Sequence, residues 1–384
     1  MIARRAHIEL RKLSEQYKAV ALVGPRQSGK TTLVREVYDD KPYLNLENPD
    51  VRNFAVEDPR GFLGQFQTGA ILDEAQRAPQ LFSYLLQILD ESGPELHFVL
   101  TGSNNFLLQE NITQSLAGRV GYINLLPFSI DELQERLPGR VAALLHKGFY
   151  PPLYDKSFEV DKWFSNYIRT YVERDIRQLK NIGNILVFER FLRLCAARVG
   201  QLLNKNALAV EAGIDSKTVE SWIGLLEASF IIYRLRPHHK NFNKRLVKMP
   251  KLYFYDVGLV SALLGIQNAE QLDLHPLKGA FFENMVVIDL MKKRFNAGKS
   301  DNLYFWRDRS GHEVDIVLDY GLELVPIEIK AGETITSAYT KAINYWNKLS
   351  DTKGGIVVYA GQSIQKRSNG INIVPYTKMG NYIP

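Results

Sequence analysis

Residues 24–31 read Gly24-Pro25-Arg26-Gln27-Ser28-Gly29-Lys30-Thr31, and the flanking chain leaves this run few conformations. Before it stands the apolar Ala19-Val20-Ala21-Leu22-Val23, and after it the helix-like Leu33-Val34-Arg35-Glu36-Val37. A strand that ends in a Gly-rich turn and passes into a helix aims successive backbone N–H groups and a helix N-terminus at one place, where phosphate is favoured. In this pattern Lys30 reaches the β and γ phosphates of a nucleotide, and Thr31 ligates Mg²⁺. Gly24, Pro25, Arg26, Gln27, Ser28, Gly29, Lys30, Thr31 and Thr32 are therefore the expected nucleotide-binding set.

Strand-like and helix-like runs alternate up to about residue 145, with apolar segments at Tyr43-Leu44-Asn45-Leu46, Ala70-Ile71-Leu72, His97-Phe98-Val99-Leu100-Thr101 and Gly121-Tyr122-Ile123-Asn124-Leu125. Such βα alternation predicts a parallel sheet covered by helices, an α/β fold. The second of these runs ends in Asp73-Glu74. There Asp73 is expected to hold Mg²⁺ through its water shell, and Glu74 to orient or deprotonate the attacking water. The next ends in Thr101-Gly102-Ser103-Asn104, which brings Ser103 or Asn104 within reach of the γ-phosphate or the water.

With these elements in this order the chain resembles the AAA-class ATPases of bacteria and archaea, whose sensor residue occupies the end of that strand. It is similar to a prokaryotic family that joins such a module to a C-terminal domain of poorly defined function. Ser115-Leu116-Ala117-Gly118-Arg119, Tyr171-Val172-Glu173-Arg174-Asp175 and Tyr253-Phe254-Tyr255-Asp256-Val257-Gly258-Leu259 extend the similarity over essentially the whole chain. The resemblance implies ATP as ligand, Mg²⁺ as cofactor and assembly into a homo-oligomer. Hydrolysis also needs positive charge on the developing transition state. Arg119 is the first candidate and Arg174 the second, with surface ion pairing the alternative for both.

At 384 residues, 45% hydrophobic and 23% charged, the chain has room for two or three domains of ordinary globular composition. Cys195, the only cysteine, stands in an apolar run and is expected to pack as a small hydrophobe. That fits a reducing, cytoplasmic setting. No uninterrupted apolar stretch approaches membrane-spanning length, so no membrane partner is expected.

A turn-rich stretch, Gly148-Phe149-Tyr150-Pro151-Pro152-Leu153, marks a boundary after an ATPase domain of residues 1–147. A linker and helical segment over residues 148–185, helical from about Lys162 to Lys180, then leads to residues 186–272. Within these, Gly213 ends one helix and Ser216 can cap the next, a helix-turn-helix pattern. Two strand candidates, Phe230-Ile231-Ile232-Tyr233 and Leu252-Tyr253-Phe254-Tyr255, bracket a basic stretch. Between Arg234 and Lys251 there are seven lysines and arginines and no acid, against a formal net charge of +6 for the whole chain. The arrangement resembles a winged helix with a basic hairpin tip. Phosphate contacts from Arg236, Lys240, Lys244, Arg245 and Lys248 would give salt-sensitive DNA binding with little sequence preference. The alternative is a structural module that packs between domains or binds protein.

Residues 273–384 return to mixed α/β character. His312 to Asp319 and Glu323 to Lys330 read as two strands joined by a turn around Tyr320-Gly321, and period-two alternation puts Glu328 and Lys330 on one face with Asp315 beside them. Glu283 falls on a helix with Val286, Val287 and Leu290 and needs a partner there. Two carboxylates such as Asp315 and Glu328 can bind Mg²⁺ or Mn²⁺, and Lys330 can activate water. Glu283, Asp315, Glu328 and Lys330 in this order resemble the PD-(D/E)xK nuclease superfamily, a restriction-endonuclease-like fold that is also used without cleavage. The leading expectation is an ATP-dependent enzyme acting on DNA with a nuclease-like domain. Its alternatives are an ATP-switched binding or regulatory protein, and a signalling ATPase whose winged helix is structural.

Overall fold

The computed structural model describes residues 2–93, 95–103, 108, 112, 115–173, 184–240 and 246–383. Its first unit is a five-stranded sheet in which every strand pair is parallel. β1 (Ala19–Val23), β2 (Tyr43–Asn45), β3 (Ile71–Asp73), β4 (Phe98–Gly102) and β5 (Val120–Asn124) lie in the order β2-β3-β4-β1-β5. β1 is an unbroken apolar run because helices cover both of its faces, as parallel sheets require. Val20 and Leu22 pack towards α1 (Ala6–Gln16) and α2 (Lys30–Val37), while Ala19, Ala21 and Val23 face the larger core. The strands fall within a residue or two of their sequence expectation.

A helix from Val160 to Tyr167 widens into a π-helix at Ile168–Glu173, within the helical segment expected from about Lys162 to Lys180. Its onward course, with Arg174, lies outside the described residues. The next unit has three helices, α3 (Ile185–Ala196), α4 (Lys205–Ala212) and α5 (Ser216–Ala228). Cys195 is fully buried, as expected. Gly213, at φ +74°, ends α4. The cap of α5 is Asp215 rather than Ser216, because its carboxylate accepts the N–H groups of both Lys217 (2.8 Å) and Thr218 (2.9 Å). The Ser216 hydroxyl donates instead to Asn206.

An antiparallel pair, β6 (Ile232–Leu235) and β7 (Lys251–Phe254), follows. The described parts of the basic connection run along β8 (Leu303–Arg307), the edge strand of a second sheet. Pro237 bridges to Phe305 and Leu246 to Asp308. The His238 N–H donates to the Phe305 carbonyl (2.7 Å), and Trp306 Nε1 donates to the Lys240 carbonyl (3.0 Å). An edge strand exposes unpaired backbone groups, and this connection covers them.

After α6 (Val257–Leu263) comes the long α7 (Lys278–Asn296), which packs on the second sheet. That sheet contains β8, β9 (Glu313–Asp319), β10 (Leu324–Lys330), β11 (Gly355–Tyr359), β12 (Gln365–Lys366) and β13 (Ile371–Pro375), in the order β12-β13-β11-β10-β9-β8. β9 and β10 form the expected hairpin, with Ile316 opposite Ile327 and the Tyr320 N–H on the Glu323 carbonyl. Among the described residues no helix is long and apolar enough to cross a membrane.

α7 also docks on the first unit, through polar groups that are largely buried. Asp289 accepts the Ile130 N–H (2.6 Å), and Lys293 pairs with Asp131 (3.3 Å). Lys292 donates to the Phe128 carbonyl (2.9 Å) and lies over the Phe149 ring. Asp256 caps α6 and accepts the Phe149 N–H (2.8 Å). Burial raises the Asp256 carboxyl to about 6, against the pull of Lys292 and three N–H donors. Burial likewise lowers Lys292 to about 8, against Asp256, Asp289 and Glu132.

From the ordinary carboxyl value of 3.8 up to about 6, folded Asp256 keeps a proton that the unfolded chain has released, so stability falls as pH rises. From about 8 to 10.5, folded Lys292 has lost a proton that the unfolded chain keeps, so stability rises with pH. Thermal midpoints measured across pH should therefore show a decline in the first window that Asp256→Asn removes. The rise in the second window should be missing from Lys292→Met.

Candidate nucleotide site and a second charged cluster

The turn from β1 into α2 is shaped by two glycines. A Cβ on Gly24 would lie 2.0 Å from the Leu125 carbonyl oxygen, and Gly29 sits at φ +91°. Lys30 is buried and donates to the carbonyls of Gly24 and Pro25, both at 2.9 Å. Burial pulls its ammonium below the ordinary range, with Glu74 and Asp73 working against that. The Ser28 hydroxyl is buried without a hydrogen-bond partner. A lysine folded back on loop carbonyls and an orphaned hydroxyl are groups that a phosphate would satisfy.

The acids stand opposite. Asp73 accepts from Thr31 Oγ1 (2.8 Å), the Tyr43 hydroxyl (2.5 Å) and the Thr101 hydroxyl. Thr31 and Asp73 are thus close enough to share one cation, so the residues fit Mg²⁺. Glu74 is held at φ +56° and accepts from Gln76 Nε2 (2.5 Å) and the Ser103 hydroxyl (2.9 Å). Ser103, one of the two expected sensors, therefore meets Glu74 directly. Asn104, the other, lies outside the described residues. The groove is about 480 Å³, and Pro151, Pro152, Asp155 and Lys156 also line it. Arg26 and Arg77 both reach Glu47 at its rim.

Arg4 holds the loop from behind. Its guanidinium donates to the Ser28 carbonyl (2.6 Å), the Leu126 carbonyl (2.6 Å) and Glu132 (3.1 Å), and it lies over the Phe128 ring. No sequence signal singled Arg4 out, since it stands among the ordinary charges of the N-terminus. The segment it grips, residues 126–132, is the one on which Asp289 and Lys292 of α7 dock.

Arg119 lies elsewhere. It precedes β5, in which Val120 pairs with Ala19 at the start of β1, whereas the phosphate loop follows the end of β1. Five strand residues separate the two levels, about 17 Å. There Arg119 forms a two-pronged pair with Asp90, Nε to Oδ1 at 2.6 Å and the second prong at 3.0 Å. It cannot reach the nucleotide site of its own chain.

Glu283, Asp315, Glu328 and Lys330 do come together, and with them residues that were not foreseen. Glu283 accepts from Lys251 Nζ (2.8 Å) and the Tyr253 hydroxyl (2.5 Å), both on β7. Lys251 also pairs with Glu313 (2.5 Å), which Arg307 holds from the other side (3.0 Å). Asp315 accepts the Ile329 N–H (2.8 Å), and Lys330 pairs with Glu328. Burial pushes the Asp315 carboxyl well above its ordinary range, and Glu328 and Glu283 push it further. Burial alone would lower Lys251, but Glu283, Asp315 and Glu313 hold its ammonium above the usual range. Among the described residues no group of three or more His, Cys, Asp or Glu is arranged to hold a metal ion. As arranged, the cluster does not fit a divalent cation, because the Lys251 ammonium already stands among its carboxylates.

Of the basic residues expected to meet nucleic acid, Arg236, Lys240 and Lys248 are exposed, while Lys244 and Arg245 lie outside the described residues. Arg234 and Lys251, which open and close the basic stretch, are turned inward, Arg234 onto Glu220 and Glu227 of α5.

Residues 16–134 match a family described as AAA domain, and residues 139–270 and 278–379 match two domains of unknown function, DUF8612 and DUF4143. Protein Rv2008c of Mycobacterium tuberculosis is 31% identical over 339 residues, which covers 87% of this chain and 75% of that one. A protein of Methanocaldococcus jannaschii, MJ1544, is 22% identical over 97% of this chain and 89% of its own. Among solved structures, a Walker-type ATPase of Pyrococcus abyssi aligns with 68% of this chain and 96% of its own at 16% identity, with a TM-score of 0.48. With an AAA domain on the parallel sheet and its phosphate loop, and similarity to Rv2008c over most of both chains, the chain belongs to the family of AAA-domain proteins that includes Rv2008c.

Proposed function

We propose that this protein is a Mg²⁺-dependent ATPase whose nucleotide state sets the arrangement of its C-terminal unit, an ATP-switched binding or regulatory protein. The observation that carries the reading is Arg4, which ties the phosphate loop at Ser28 to the same segment that receives α7. When ATP enters, Lys30 exchanges its loop carbonyls for phosphate oxygens, and the loop N–H groups with Ser28 receive the rest. Mg²⁺, held by Thr31 and Asp73, would neutralise phosphate charge there. Glu74, aligned by Gln76 and Ser103, is the base or orienting group for water. Arg119 can complete only a neighbouring subunit's site, so in this reading turnover depends on oligomerisation. The C-terminal unit serves as a binding surface, with its acids already paired to Lys251, Lys330 and Arg307.

Lys30→Ala should lose both ATP binding and turnover. Glu74→Gln should still bind ATP while its turnover drops by roughly a hundredfold or more. An equimolar mixture of Lys30→Ala and Arg119→Ala protein should regain turnover, because each subunit type supplies what the other lacks. Unchanged turnover in Glu74→Gln would contradict the assignment.

The exposed Arg236, Lys240 and Lys248 favour a second reading, in which this basic rim holds a nucleic-acid backbone beside a winged-helix unit. Double-stranded DNA should then bind with an affinity that falls steeply with salt, and Arg236→Glu with Lys248→Glu should weaken it without regard to sequence. Unaltered binding by that double variant would remove the reading.

A further inference from the structure

We infer that Gly102 and Gln76 form a positioning pair for Glu74, so that hydrolysis depends on residue 102 having no side chain; this rests on the reading of Glu74 as the group that activates water. The Glu74 carboxylate is gripped through one oxygen. Its Oε2 accepts from Gln76 Nε2 (2.5 Å), the Ser103 hydroxyl (2.9 Å) and the Ser103 N–H (3.4 Å). Oε1 accepts no hydrogen bond among the described residues and is the oxygen left for water. Two separate pieces of chain thus converge on one atom, the short turn Ala75–Arg77 that follows β3 and the end of β4.

Those two pieces also touch each other. A Cβ on Gly102 would lie 2.6 Å from Gln76 Oε1 and 3.0 Å from Leu108 Cδ2. The backbone there does not call for glycine, since Gly102 is outside the left-handed region and closes β4 in ordinary register opposite Val23. The missing side chain is what seats the amide. Gln76 Oε1 is buried without a hydrogen-bond partner among the described residues, which is unfavourable. Turning the amide over would set its oxygen against the Glu74 carboxylate. Glu74 itself is held at φ +56°, a conformation uncommon outside glycine. A strained backbone and an unsatisfied amide on the same carboxylate mark a geometry kept for the reaction rather than for stability. Because Gln76 Oε1 is the far end of a flexible side chain, a methyl group on residue 102 displaces it readily, and the effect falls on the alignment of Glu74 rather than on the fold.

The test measures ATP turnover with Mg²⁺, ATP affinity by equilibrium titration and melting temperature, all on full-length protein. Gly102→Ala should keep the parent's ATP affinity and melting temperature while kcat falls roughly tenfold or more. Gln76→Ala should show the same split. The double variant should be no slower than Gln76→Ala alone, because once the amide is gone the methyl group has nothing to displace. In a Glu74→Gln background neither substitution should slow the residual turnover further. Losses that add in the double variant overturn the inference, since Gly102→Ala would then act through Leu108 or the fold. Parent-like turnover of Gly102→Ala overturns it as well, and so does a fall in ATP affinity or melting temperature that accompanies the loss of kcat. Absence of turnover in the parent, or parent-like turnover of Glu74→Gln, contradicts the nucleotide reading itself, and the inference falls with it.

Discussion

The buried guanidinium of Arg4 is the contact on which the rest of this molecule turns. Where the chain leaves β1 for the phosphate loop and β5 for residues 126–132, backbone carbonyls no longer paired in the sheet need donors. Arg4 supplies two of them from behind the loop, to Ser28 and Leu126, and its remaining charge is met by Glu132, whose side chain is fully buried. Breaking a buried pair of this kind costs about 3–5 kcal/mol, because the partner charge stays behind unpaired. The loop, the end of β5 and residues 126–132 are therefore held as one body.

From that body a rigid element leads outward. Asp289 and Lys292 fix one part of α7 to residues 128–130, and nine residues before Lys292 on the same helix Glu283 meets Lys251 and Tyr253. Nine residues of helix span about 14 Å, and a helix transmits a tilt or shift over that distance without absorbing it. Two charged clusters, one at the phosphate loop and one around a lysine, are thus linked through α7 and the segment that Arg4 grips. Neither cluster is a free surface feature, and each is completed by a side chain from a different part of the chain.

Features whose chemistry is contiguous were legible in the amino-acid sequence. The phosphate loop, Asp73-Glu74 and the Glu328-x-Lys330 strand announce themselves because their groups are placed by one local geometry, a turn or a period of two. The β9–β10 hairpin and the helix-turn-helix pattern were legible for the same reason, although Asp215 displaced Ser216 as cap by offering a carboxylate to two N–H groups. What could not be read were pairings over distance. Lys251 looks like the end of a basic surface run, and only its contacts with acids 32 and 62 positions onward make it an interior cation. Arg4 pairs with Glu132 across 128 positions. Arg119 was read as a candidate for the transition-state charge or for a surface ion pair, and its pairing with Asp90 at the level opposite to the phosphate loop emerges only from the strand register.

The central claim is that nucleotide occupancy is felt along this path, and hydrogen exchange reads it directly. Glu74→Gln protein should be compared with and without ATP and Mg²⁺, with exchange followed peptide by peptide. The account predicts altered protection in residues 126–132 and along Lys278–Asn296 as well as in the phosphate loop. A change confined to residues 24–32 and the neighbourhood of Asp73 and Glu74 would contradict it.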